Sequence, residues 1–146
     1  MKRLTSIVWI CICSLSSFAF AEAENTLVGL DTNKNGIRDD IDEYIKRQNY
    51  TAEQLKAVNQ YCRTLQQAVT LNSENRDRAK ELSDKNGNAM NCLYTKFTTS
   101  PAPAAVVTQY EKLTANTNPR QDSYKKFSKA LNGTILSLPD GDTCDK

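Results

Sequence analysis

The chain has 146 residues, no histidine, and 19 Lys and Arg against 17 Asp and Glu. The length suggests one domain, and the missing histidine excludes Ser–His or Cys–His activation and histidine metal sites. Loss of Lys2 and Arg3 with a leader would leave 17 basic against 17 acidic residues, a neutral chain without the charge footprint of a nucleic-acid binder or of a polybasic membrane contact.

Residues 1–21 read as a secretory signal peptide. Lys2 and Arg3 make a positive start, and Ile7, Val8, Trp9, Ile10, Ile12 and Leu15 belong to an apolar run that reaches Phe18. Ala19-Phe20-Ala21 is a small-residue cleavage site. Ala21-Glu22-Ala23 offers a second cut two residues on. The run is too short and too serine-rich for a membrane span, which needs about 20 apolar residues. Ile10 and Ile12 precede Cys11 and Cys13, where a lipoprotein would carry small residues. The expected location is therefore outside the cytoplasm, periplasmic or extracellular, with no stable membrane insertion after processing.

Residues 22–30 form a lead-in whose Leu27, Val28 and Leu30 are available for packing. Residues 31–133 are expected to be an all-α domain, a small bundle of four to five short helices preceded by an acidic loop at 31–42. A short helix should run from about Asp39 to Gln48. Thr51 with Gln54 makes a capping-box pattern for a helix from Ala52 to Leu71, with Leu55, Val58, Cys62, Leu65 and Val69 on its stripe. Asn72 and Ser73 offer the next cap. Residues 74–97 are helical in composition, with Ala79, Leu82, Met90, Leu93 and Phe97 inward and an interruption expected at Asn86-Gly87-Asn88. After the connector Thr98–Pro103, a helix from Ala104 to Ala115 carries Val106, Tyr110 and Leu113. Asn118 then caps a last helix with Pro119 at its first position and Tyr124, Phe127 and Leu131 on its stripe. Asn132-Gly133 should stop it. Residues 134–146 read as an extended tail.

Cys62, Cys92 and Cys144 remain once Cys11 and Cys13 leave with the leader. In an oxidising compartment three cysteines allow one bridge and one remaining thiol. Cys62–Cys92 would join two helices, and Cys144 with either would tie down the tail. A straight hairpin turning near Ser73 sets Cys62 opposite Lys85 and not Cys92. The remaining thiol is either free or the link of a disulfide-bonded homodimer.

The chemistry lies in Asp31-Thr32-Asn33-Lys34-Asn35-Gly36-Ile37-Arg38-Asp39-Asp40-Ile41-Asp42. Calcium takes six to eight oxygens, and an EF-hand loop supplies them from positions 1, 3, 5, 7, 9 and 12 with glycine at 6. Those positions hold Asp31, Asn33, Asn35, the Ile37 carbonyl, Asp39 and Asp42, and Gly36 occupies the turn. The motif resembles EF-hand-like loops, and is most similar to the dockerin-type and thrombospondin type 3-like variants of secreted bacterial proteins, including small exported proteins with an Asn-Gly-Ile-Arg-Asp-Asp-Ile-Asp run. The resemblance covers about a dozen residues and implies one structural Ca2+. It departs from the common pattern in its two neutral amides, in Arg38 where an apolar residue is usual, and in Asp42 in place of the longer Glu. Fewer anionic ligands imply weak affinity, on the order of 10⁻⁴ M. Asp84-Lys85-Asn86-Gly87-Asn88 fails as a second loop, because Ala89 sits where glycine is needed.

The function expected is an exported, calcium-binding helical domain that binds an unidentified protein or envelope partner. No catalytic constellation is legible. The competing reading is a small exported enzyme or enzyme inhibitor with a site between the Tyr110 and Tyr124 helices. In that reading the acidic loop is only a turn and a helix cap with favourable charge.

Overall fold

The computed structural model describes residues 26–72, 74–135 and 137–146; the expected signal peptide lies outside them. Among the described residues five helices follow in order: α1 (Asp39–Lys46), α2 (Ala52–Thr70), α3 (Arg76–Lys96), α4 (Pro103–Thr114) and α5 (Asn118–Ala130). Among the described residues there is no strand, so the domain is all-α. None of these helices is long and apolar enough to cross a membrane.

The antiparallel pair α2 and α3 is the centre of the bundle, with α4 and α5 packed on it and α1 set against α4. Val58, Tyr61, Leu65, Leu93 and Tyr110 are fully buried where these helices meet, and Ile37, Ile41 and Ile45 seal the end below the acidic loop. A smaller cluster of Ala68, Ala79, Leu82 and Phe127 holds α5 against the far end of α2 and α3.

Local chemistry explains the helix starts. Thr51 and Gln54 form the reciprocal capping box: Gln54 N–H donates to Thr51 Oγ1 and Thr51 N–H to Gln54 Oε1. Asn75, and neither Asn72 nor Ser73, caps α3 by accepting from Arg78 N–H. Thr117, not Asn118, caps α5. Pro103 belongs to α4, at the first turn where its missing N–H costs nothing.

Two sequence expectations are corrected. Asn86-Gly87-Asn88 does not break α3, which runs on as one helix. Asn86 Oδ1 accepts from Thr64 of α2, the Asn88 carbonyl accepts from Thr143 of the tail, and a Cβ on Gly87 would lie 3.9 Å from the Ser137 carbonyl. The cost of an internal glycine is offset by these contacts with neighbouring segments. In the lead-in, of Leu27, Val28 and Leu30 only Leu30 is half-buried. Leu27 and Val28 are exposed, and the segment is fixed through its carbonyls: Thr26 O accepts from Arg120, Val28 O from Gln66 and Leu30 O from Asp39 N–H.

The described tail residues after Gly133 have neither helix nor strand and lie across α2 and α3. Gln60 takes both sides of the tail backbone, donating to Thr143 O and accepting from Asp145 N–H, each at 3.0 Å. Asn91 donates to Gly141 O at 2.8 Å. These bonds bring Cys144 to Cys92, which are joined covalently. Among the described residues Cys62 is the thiol that remains, enclosed in the core.

Candidate metal-binding loop

The acidic loop is shaped by its own side chains. Asp31 accepts from Asn35 N–H at 3.1 Å and from Gly36 N–H at 2.9 Å. Asn33 Oδ1 accepts from Asn35 N–H and Asn35 Oδ1 from Ile37 N–H, so the backbone turns twice on Asx bonds. Gly36 has φ of 83°, a left-handed value that glycine adopts without cost. The chain thereby folds back on itself, and the amide nitrogens of Asn33 and Asn35 both donate to Asp42 Oδ2 at 2.8 Å. Positions 1, 3, 5 and 12 form one connected network. The Ile37 carbonyl, at position 7, accepts no hydrogen bond from the described residues.

Asp39 lies outside that network. Its two oxygens accept from the Thr32 hydroxyl at 2.6 Å and from Thr32 N–H at 3.0 Å. The hydroxyl bond, then the N–H bond, holds the Asp39 carboxyl below its ordinary range. At the same time Asp39, Asp40 and Asp42 occupy the first turn of α1, where negative charge faces the positive end of the helix dipole.

The donors suit a hard cation in kind, since all of them are oxygens. Among the described residues no three His, Cys, Asp or Glu side chains converge; the cluster consists of two carboxylates and two carboxamides. An asparagine presents oxygen in place of nitrogen by a half-turn of its amide. That turn would set Asn33 and Asn35 oxygens against Asp42, an arrangement that repels itself unless a cation sits between them.

Arg38 does not bring its charge to the cluster. It is fully buried, with Nε and Nη2 each 2.7 Å from the two oxygens of Asp40. Its remaining donors reach Thr114 O at 3.0 Å and Leu113 O at 2.9 Å. Those are carbonyls of the last turn of α4, which have no partner within their own helix. The stem of Arg38 passes over Gly29, where a Cβ would collide with it; Gly29 has φ of 70°. Sequence spacing could not have shown this role, because the partners of Arg38 lie 75 and 76 residues away. The glycine just before the loop was the one local signal.

Arg63 borders the loop from α2. A Cβ on Gly36 would be 3.4 Å from Arg63 Cγ, and Arg63 Nη2 pairs with Asp145 of the tail at 2.8 Å. Cys62 lies beside them, its thiol pushed up by burial and then by the charge of Asp42.

The space between α4 and α5 is taken by the chain's own side chains. Tyr110 is fully buried with its hydroxyl 3.3 Å from that of Tyr50. Tyr124 and Tyr61 both donate to Glu111 Oε1 at 3.3 Å. Burial pushes the tyrosine hydroxyls upward.

The fold and disulfide define the class: a small all-α domain with one covalently anchored tail. Among known proteins, no family model, curated protein or solved structure matches the chain.

Proposed function

We propose that this chain is an exported helical domain whose loop at 31–42 binds one calcium ion, which acts as a structural cross-link within a protein that docks to a protein or envelope partner. The observation that carries the reading is the meeting of Asn33 and Asn35 on a single oxygen of Asp42, with Asp31 holding the turn at Gly36. A plain turn or helix cap does not need a fold-back across nine residues. Asp31, Asn33, Asn35, Asp42 and the Ile37 carbonyl would hold the ion, with Asp39 beside them on Thr32. Calcium would supply a charge that satisfies all these oxygens together. The pairing of Arg38 with Asp40 removes the main electrostatic objection to the site.

Export is supported by the disulfide and by the leader-like residues 1–21. With Cys62 enclosed in the core, the reading is of a chain without inter-chain disulfides. A structural role for the ion follows from the single loop, which has no second hand to open against.

The test is thermal unfolding of the chain from Glu22 onward, in EDTA and in millimolar calcium. Tyrosine fluorescence or circular dichroism serves, since Trp9 is the sole tryptophan and lies in the leader. Calcium tenfold above Kd stabilises by about 1.4 kcal/mol, a shift of roughly 3–6 °C for a chain of this size. The shift should vanish in Asp31→Ala. No shift at any calcium concentration sinks the proposal.

A further inference from the structure

Three of the chain's glycines follow an asparagine: Asn35-Gly36, Asn86-Gly87 and Asn132-Gly133. In such a pair the glycine nitrogen attacks the asparagine side-chain carbonyl, since no Cβ obstructs the approach. The structure places the three in different chemical settings. At Asn35 the side chain is held at both ends, by Ile37 N–H and by Asp42. The Gly36 N–H points at the Asp31 carboxylate, whose charge opposes removal of that proton. At Asn86 the side chain accepts from Thr64 and the next N–H lies inside α3, committed to the helix ladder.

Asn132-Gly133 differs on every count. Both residues are exposed, in the turn just after α5. Among the described residues Gly133 N–H has no acceptor in the turn, while its neighbours Asn132 and Thr134 do. A Cβ on Gly133 would meet nothing within 4 Å. The Asn132 backbone carbonyl accepts from the Arg76 guanidinium at 3.1 Å. That carbonyl belongs to the peptide whose nitrogen must lose its proton, so a cation on its oxygen favours the amidate.

We propose that Asn132 is a site of spontaneous covalent modification, converted through a succinimide to aspartate and isoaspartate, with Arg76 promoting the conversion. Hydroxide takes the Gly133 N–H proton, and the nitrogen bonds to Asn132 Cγ. That bond closes the ring; water returns a proton to the side-chain –NH2 group, and the tetrahedral carbon expels it as ammonia to give the succinimide. Water then opens either of the two ring carbonyls. Reopening at the backbone carbonyl leaves isoaspartate, with one extra methylene in the main chain and a new carboxylate at the junction of α5 and the tail.

The test ages the folded, oxidised chain at 37 °C in mildly alkaline buffer and follows each Asn-Gly peptide by mass, one unit heavier after conversion. Asn132 should convert at least roughly tenfold faster than Asn35 and Asn86, whose reaction waits on local opening. In urea the three rates should come together. Arg76→Gln should slow Asn132 by roughly threefold in the folded chain and leave its rate in urea unchanged. Equal rates in the folded chain overturn the proposal, as does an Asn132 rate that stands apart even in urea. An unchanged folded-state rate in Arg76→Gln removes the promoting role of Arg76.

Discussion

Asn35 Nδ2 donates to Asp42 Oδ2 at 2.8 Å, so position 5 of the loop is bonded to position 12 through a group that a cation would displace. Replacing Asn35 by Asp turns a donor into a second negative charge at that point. In EDTA the variant should unfold more easily, by about 1–3 kcal/mol, the scale for losing a hydrogen bond to a charged group, with two carboxylates now facing each other although Asn33 still donates to Asp42. In calcium the order should reverse, because a carboxylate is the stronger ligand. Melting curves in both buffers check the crossover, and a variant weaker in both would count against the loop as a calcium site.

Arg38 sits at 0% exposure between Asp40 and the last carbonyls of α4. Arg38→Met keeps much of the stem and removes the charge. It leaves Leu113 O and Thr114 O unpaired and frees Asp40, which is partly exposed. The expected loss is about 3–5 kcal/mol, as for breaking a buried pair from one side. Urea unfolding midpoints at neutral pH measure it. A change below about 1 kcal/mol would show that the clamp is dispensable.

Cys92 and Cys144 enclose a separation of 52 residues. Closing a loop of that size restricts the unfolded chain by about 4 kcal/mol in the chain-entropy account. Cys144→Ser should lower stability by about 2–4 kcal/mol and open the Asp145 N–H, which Gln60 holds, to hydrogen exchange. In the native wild type, Cys62 should stay unreacted towards a thiol reagent until denaturant is added, because it is enclosed and its thiol is pushed up by burial.

The Asp39 carboxyl is held low by Thr32. A carboxyl lowered in the folded chain contributes stability above its unfolded value, and that contribution fades as pH falls through the folded value. Thr32→Val removes the hydroxyl bond. The variant should be less stable than wild type near neutral pH, and the gap should narrow as pH falls through the titration of Asp39. Denaturant midpoints across that range decide it; a gap independent of pH would assign the loss to packing.

Much of the architecture was legible because it is written in short-range patterns. The stripe of Val58, Cys62, Leu65 and Val69 and the Thr51–Gln54 box define α2 almost to the residue. Leu55, on the same stripe, is 39% exposed. The continuity of α3 was hidden, because Asn86, Gly87 and Asn88 are explained by Thr64 and the tail, not by their own propensities. The bridge partner of Cys144 was hidden for the same reason: Gln60 and Asn91 guide the tail to α3. In the loop, the spacing singled out Asp31, Asn33, Asn35 and Asp42, which share one hydrogen-bond network. It did not show that Thr32 draws Asp39 or that Arg38 serves α4.

The Arg38 clamp also decides whether the loop is portable. A peptide of residues 30–46 would carry every proposed calcium ligand and the Asp40 partner, yet leave behind the α4 carbonyls on which Arg38 rests. Grafted into another helical protein, it would bring an arginine with no socket. The motif is continuous in sequence, but the unit that evolution or an engineer can transplant is loop and α4 together.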